Sequence, residues 1–344
     1  MAGSNRGDKI RQLVLLALFL GFTTLVVTRF TSAGKLISTL KQGNLQWLLI
    51  GIFVHMVYFG IYAVLYLVCF LTVGVKTNYF NLVPVMFASI FINSVAPTGG
   101  VGGAAVFIDH TSKKGQSGGR TAIGLILLTL ADLGTLIPFL IFGLAYLQNR
   151  RDLKSYEIIT ASFFVVFLIL LTAMILLSAR RPKFLQKILE WIRRLIDRIG
   201  AIFKKPDLIS EDWPERNTNE FRQAALAIAK NPKYLEMALL IGFVLHIINV
   251  AGLYAFFLAF KQPISLGGLM AGFGLGIVFF VVTVVPQGVG AVEGIMALVF
   301  TSLGIPSAQA ITIALVFRGV NFWLPLLVGL LVIGRVTSAK KEAI

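Results

Sequence analysis

Long apolar stretches alternate with short polar ones along this chain, and the length of each stretch limits what it can be. Runs at about 12–29, 45–74, 120–147, 155–178, 233–260 and 307–334 have close to the roughly 20 residues that a helix needs to cross a hydrocarbon core. They predict spanning helices. Two further runs, at about 80–111 and 264–304, are interrupted by Val95-Ala96-Pro97-Thr98-Gly99-Gly100-Val101-Gly102-Gly103 and by Val285-Pro286-Gln287-Gly288-Val289-Gly290-Ala291-Val292-Glu293. Irregular backbone survives at membrane depth only where protein or a water-filled cavity satisfies its freed N–H and C=O groups. Each interrupted run therefore predicts a re-entrant hairpin, its second helix starting around Gly102 or Gly290.

The pattern repeats. Pro97 and Pro286 are 189 residues apart, His55 precedes Gly60-Ile61-Tyr62-Ala63 much as His246 precedes Gly252-Leu253-Tyr254-Ala255, and Leu136-Ile137-Pro138-Phe139-Leu140 answers Trp323-Leu324-Pro325-Leu326-Leu327. Each half, 45–147 and 233–334, reads as helix, broken hairpin, helix. Between them, in the stretch 179–232, Pro182 to Lys205 carries apolar residues at 184, 185, 188, 189, 192, 195, 196, 199, 202 and 203, which is helical periodicity. Lys187, Arg193, Arg194 and Arg198 occupy the other face, and Trp191 suits an interfacial depth. This predicts an amphipathic helix lying on an anionic leaflet or a linker that fixes topology, followed by an exposed loop from Pro206 to Asn219.

Composition agrees: 57% hydrophobic residues and a mean hydropathy of +0.86 exclude an ordinary soluble domain. A net charge of +16 would suggest nucleic acid in a soluble protein, but here its distribution reads as topology, because cytoplasmic loops are enriched in Lys and Arg. With cytoplasmic termini in a cell membrane, the 31 basic residues divide into 23 inside, 7 outside and Arg318 within a span. That division requires each broken run to enter and leave on one side, and it sets the two halves in opposite directions. The expected fold is an all-α polytopic membrane protein, one transmembrane domain over 1–344, built as an inverted-repeat helix bundle whose two hairpins enter from opposite faces and meet near the midplane. A cleaved signal peptide ending near Thr31-Ser32-Ala33 is an alternative for the first run.

Paired breaks of this kind point to a transporter's binding site. The first turn of each inner helix presents unpaired N–H groups and partial positive charge, and glycine lets a ligand approach that backbone. Pro97, Gly99, Gly100, Gly102, Pro286, Gly288 and Gly290 would then cradle an anion such as a lipid phosphate, or the glycines permit tight helix packing. Intramembrane ionisable groups are costly and point to function; Asp132, Glu293 and Arg318 qualify. Arg318 has a planar fork for phosphate or pairs with Glu293 or Asp132, and Glu293 stands where a carboxylate caps a helix start. His55 and His246 are candidates for a proton relay or for simple hydrogen bonds between helices. Asn93, Asn249 and Asn321 read as helix-to-helix bonding groups.

Enzyme signatures are missing: no glycine-rich loop ends in Gly-Lys-Ser/Thr, and His55, His110 and His246 are not spaced as zinc ligands. Cys69 is the lone cysteine, so no intramolecular disulfide forms. Neither metal nor cofactor is expected, and no catalytic residue.

At these residues the chain resembles the lysylphosphatidylglycerol synthase transmembrane-region family of flippase-like membrane proteins. The likeness rests on Asn93 through Gly103, on Pro286 through Glu293, and on Arg318 followed by Pro325 and Gly329, and it spans about 10–335. It implies binding or movement of membrane lipids, including aminoacylated phosphatidylglycerol and polyprenyl-linked glycolipids. Founding members fuse this region to a soluble aminoacyl-transferase domain, whereas this sequence ends at Ile344, so lysylphosphatidylglycerol synthesis is not expected of it. Many members follow the first double glycine with an acidic and then a basic residue; this chain has Ala104, Ala105 and Val106, which leaves the headgroup open. A non-transporting accessory protein and a membrane-embedded lipid transferase are the rival readings.

Overall fold

Asn44 opens the first described helix by accepting from the N–H groups of Gln46 at 2.9 Å and Trp47 at 3.4 Å, donors that a helix start otherwise leaves unpaired. The computed structural model describes residues 41–95, 101–202, 210–283 and 286–338. The apolar run at 12–29, the tip residues Pro97, Gly99 and Gly100, and 203–205 lie outside them. Helix α1 (Leu45–Thr72) is followed by α2 (Tyr79–Val95), α3 (Val101–Lys113), α4 (Gly118–Thr135) and α5 (Ile137–Arg150). Helices α4 and α5 form one path bent at Leu136, because Pro138 has no N–H for the Gly134 carbonyl. Next come α6 (Ser155–Arg180), α7 (Pro182–Ile202) and α8 (Trp213–Lys230). The chain then repeats its first sequence of lengths: α9 (Pro232–Ala259), α10 (Leu266–Val282), a 3₁₀ turn (Pro286–Gly288), α11 (Ala291–Ser302), α12 (Ser307–Arg318), a π-helical turn (Gly319–Trp323) and α13 (Leu324–Ser338). Helices α1 and α9 have 28 residues each, α2 and α10 have 17 each, and α3 and α11 have 13 and 12.

Helices α1 and α9 lie side by side and antiparallel. The Asn44 N–H donates to the Ala259 carbonyl at one end (2.9 Å), and the Asn231 amide donates to the Thr72 carbonyl at the other (3.3 Å). Between those ends Gly51 receives the ring of Phe256, and Gly252 receives the imidazole of His55. The outer helices cross over reciprocally: α5 packs on α10 and α13 on α2. Each crossing is closed by a glycine set against backbone, Gly143 on Ala271 and Gly329 on Phe87, the close approach that small residues allow where lipid supplies no hydrophobic drive.

Among the described residues, five helical paths are long and apolar enough to cross a membrane: Leu45–Thr72, Gly118–Arg150, Ser155–Arg180, Pro232–Ala259 and Ser307–Gly334. Helix α6 turns Phe163, Val166, Phe167, Ile169 and Leu170 outward, an exposed apolar surface that marks lipid contact. The chain is a multi-pass membrane protein.

The region after residue 206 differs from expectation. Within the stretch read as a loop, α8 starts at Trp213, with Pro214 and Glu215 in its first turn, both favourable there. It holds by burying Phe221 against Leu185 and Leu189 of α7, with Met174 of α6 and Leu130 of α4 packed alongside. Polar composition between 206 and 219 hid this, because the apolar anchor comes one turn later.

Candidate functional site

The second break is an ordered turn. Gln287, Gly288 and Gly290 have φ of 53°, 62° and 83°, a region that costs little only for glycine. A Cβ on Gly288 would stand 2.6 Å from Val292 Cγ2 and 3.3 Å from the Phe280 backbone, whereas one on Gly290 would meet nothing within 4 Å. The two glycines therefore differ: Gly288 is packed, and Gly290 opens onto free space. Gly294, one turn further, is also unfilled.

Glu293 and Arg318 hold this turn. One Glu293 oxygen, Oε2, accepts from the Gly290 N–H at 2.7 Å, the helix-capping half of the expected choice. The other, Oε1, accepts from Arg318 Nε at 2.9 Å. Arg318 Nη2 then donates to the Gln287 carbonyl at 2.8 Å, which the positive φ of Gln287 helps present, and the guanidinium lies 4.5 Å from the centre of the Phe322 ring. Capping and ion pairing thus coexist in one carboxylate. The side chains are 9% and 12% exposed, so the pair is shielded and its members compensate each other. Arg318 Nη1 has no bond among the described residues.

The first break is finished differently. Gly103, in the opening turn of α3, donates its N–H to Asn93 Oδ1 at 2.7 Å, and the space its Cβ would need is filled by Asn93 and Ser89. Gly102 stands beside it in that turn. The end of α2 approaches the second turn: Val95 and Val289 join one apolar cluster with Phe91, Phe322, Trp323 and Leu326.

Asp132 belongs to a separate cluster. Its Oδ2 accepts from the Tyr62 hydroxyl at 3.4 Å. Its main-chain carbonyl, freed because the Leu136 N–H bonds to Leu133 instead, accepts from His246 Nε2 at 2.8 Å and from Thr135 Oγ1 at 3.0 Å. Arg318 pairs with Glu293 and not with Asp132. Asn321, within the π turn, donates to Asn249 Oδ1 of α9 at 3.2 Å. His55 donates through Nδ1 to the Gly51 carbonyl at 2.8 Å and lies among Phe256 and Phe317. His246 lies among Phe139 and Phe273. Each imidazole spends one N–H on a backbone carbonyl and leaves its other nitrogen without a partner among the described residues. Aromatic side chains surround both, and neither ring bonds to the other. Among the described residues no three His, Cys, Asp or Glu side chains gather as metal ligands would.

Sequence reasoning missed the Gln287 carbonyl and the Phe322 ring, while Asn93, read as a helix-to-helix bonding group, does join α2 to the start of α3. Phe322 lies four residues after Arg318, the spacing at which helical side chains meet, so that contact was open to discovery. The Gln287 conformation was not, since positive φ at a non-glycine residue leaves no mark in the sequence.

Comparison with known proteins matches these elements to one family. The model for the lysylphosphatidylglycerol synthase TM region covers residues 10–329. A UPF0104 membrane protein of Pyrococcus horikoshii is 22% identical over 91% of this chain and 94% of its own length. A second, from Methanocaldococcus jannaschii, is 22% identical over 97% and 98%, and a third, from Methanothermobacter thermautotrophicus, is 20% identical over 85% and 86%. The match takes in both breaks, the Glu293–Arg318 pair and the crossing glycines: the chain belongs to the lysylphosphatidylglycerol synthase TM region family.

Proposed function

We propose that this protein binds a phosphate-bearing membrane lipid or glycolipid at its two breaks and moves it across the bilayer without transforming it. The observation that carries this reading is the start of α11, where a strained turn held by Glu293 and Arg318 leaves the Gly290–Gly294 side open to a ligand. Helix-start N–H groups there supply donors for an anion. The Arg318 guanidinium, whose Nη1 has no partner among the described residues, adds a charge that can engage phosphate without first leaving Glu293. Both hairpins are read as re-entrant in a cell membrane, with cytoplasmic termini and the basic stretch 180–233 on the cytoplasmic side. Asp132 and the two histidines are then supporting groups around the bend of α4 and α5, with His246 holding a freed carbonyl.

Reconstitution into liposomes with a panel of mass-tagged anionic, zwitterionic and polyprenyl-linked lipids tests the proposal. Movement of an anionic lipid that depends on Arg318 is the expected result. Binding without movement would make the protein an accessory factor, and an altered lipid mass would make it a transferase; either outcome replaces the translocase reading.

A further inference from the structure

Where α6 turns into α7, cations gather that nothing in the described fold neutralises. Arg180, Arg181, Lys183 and Lys187 are all exposed, and none has a carboxylate within 4.0 Å among the described residues. Further along α7, Arg193 pairs with Asp197 at 3.4 Å and Arg194 with Glu190 at 3.9 Å. The two sides of α7 also differ in what they bury. Leu185 and Leu189 are packed into the protein against Phe221, while Phe184 and Trp191, seven residues apart and so on one face, are 52% and 62% exposed. Arg181, Pro182, Lys183, Phe184 and Lys187 line an open hollow of about 540 Å³. Its position is fixed by α6, whose outward Ile169, Leu170 and Leu176 bring lipid-facing surface to within four residues of Arg180.

We propose that this corner is a binding site for the headgroup of an anionic phospholipid. Arg181, Lys183 and Lys187 hold the phosphate region, and Phe184 and Trp191 sit at the level of the glycerol and upper acyl chains, the depth that aromatic side chains prefer. Charge complementarity selects the occupant: exposed cations with no carboxylate partner among the described residues, beside apolar surface, match an acidic headgroup and not a zwitterionic one. The site is separate from the paired breaks and does not depend on transport. Each cation near an anionic surface favours the acidic lipid by about fivefold.

The test keeps Trp191 as the sole tryptophan by changing Trp47, Trp213 and Trp323 to Phe, and places the full-length protein in phosphatidylcholine nanodiscs. Brominated phosphatidylglycerol and brominated phosphatidylcholine are compared as quenchers at equal mole fraction. The expected result is a relative affinity at least about fivefold in favour of phosphatidylglycerol, lost in Arg181→Gln/Lys183→Gln/Lys187→Gln. Equal quenching by both lipids overturns the site, and so does an absence of quenching by either. Should the single-tryptophan protein fail to fold, native mass spectrometry of the otherwise unaltered chain reads the same point. Loss of retained phosphatidylglycerol in the triple Gln variant supports the site, and unchanged retention overturns it.

Discussion

Arg318→Gln removes one member of a shielded pair and leaves Glu293 with the Gly290 N–H as its remaining bond. Breaking a buried ion pair from one side costs about 3–5 kcal/mol, because the surviving charge stays desolvated without its counter-charge. The Gln287 carbonyl loses its donor as well. Glu293→Gln falls in the same range: it keeps an acceptor for Gly290 but strands the guanidinium beside Phe322. The double change leaves no charge behind. Two neutral amides can still bond to each other and to the turn, so the double variant loses about 1–3 kcal/mol, the scale of the charge-assisted bonds removed. The singles together predict far more, and the difference is a coupling energy of several kcal/mol, well beyond the roughly 0.5 kcal/mol allowed for independent sites.

Cys69 provides the assay, being the lone cysteine and 1% exposed, so a thiol-reactive dye reports unfolding in detergent as temperature rises. The expected order of melting temperatures is wild type, then the double variant, then each single. A double variant as unstable as the two singles combined would show that the pair does not hold the turn. A double variant that also keeps full lipid binding would reduce Arg318 to scaffolding and remove it from the proposed site.

Gly329→Leu and Gly143→Leu should each lower the melting temperature sharply in the same assay, because their side chains would enter the backbones of α2 and α10; tolerance of both would mean that the crossings are looser than described. At the second break, Gly288→Ala should destabilise by about 1–2 kcal/mol more than Gly290→Ala, since both strain φ but only Gly288 also meets Val292 at 2.6 Å. Gly290→Asn, strained like Gly290→Ala because ψ is −35° there, should cost no more stability than Gly290→Ala and lose more lipid binding if the open space there receives the ligand. In a Cys69→Ser background, Lys187→Cys should resist an impermeant thiol reagent added outside intact cells, and labelling from outside would reverse the orientation drawn from the basic residues.

The sequence carries the parts of this fold that depend on length and on backbone chemistry. Apolar runs of spanning length locate α1, α6 and α9, and the second break, from Pro286 on, falls where proline removes a donor and glycine admits positive φ. The Glu293 cap was legible because its spacing from Gly290 is local. Its partnership with Arg318 was legible only as one choice of two, since charge demands a counter-charge but does not say which. Tertiary context decided the rest. The start of α8 at Trp213 depends on Phe221 finding Leu185 and Leu189, and the π turn after Arg318 is seen only when its Asn321 reaches Asn249. Both histidines were open to a proton relay or to plain hydrogen bonds. His55 bonds to the Gly51 carbonyl one turn back on its own helix, which is local, whereas His246 reaches the Asp132 carbonyl only because the fold sets α9 beside α4.

The two halves share a plan but not a chemistry, and that asymmetry bears on mechanism. Counted back from Pro138 and Pro325, six residues lead to Asp132 in one half and to Gly319 in the other, while seven lead to Ala131 and Arg318. Charges of opposite sign thus occupy adjacent positions of equivalent helices, and each half lacks the charge the other has. The inner-helix starts differ to match: a neutral amide, Asn93, serves α3, and a carboxylate with its arginine serves α11. In a symmetric pair of breaks both would hold an anionic headgroup equally, and nothing would favour handing it from one to the other. Here the second break carries a guanidinium close to its turn and the first has no described cation at the same place, so the proposed binding of an anion would be stronger at the second. Levelling that difference by removing the charges of the second break, with Glu293→Gln and Arg318→Gln together, should slow net lipid movement in liposomes more than it weakens lipid binding. Equal losses of binding and movement would show that the asymmetry of the halves plays no part in transport.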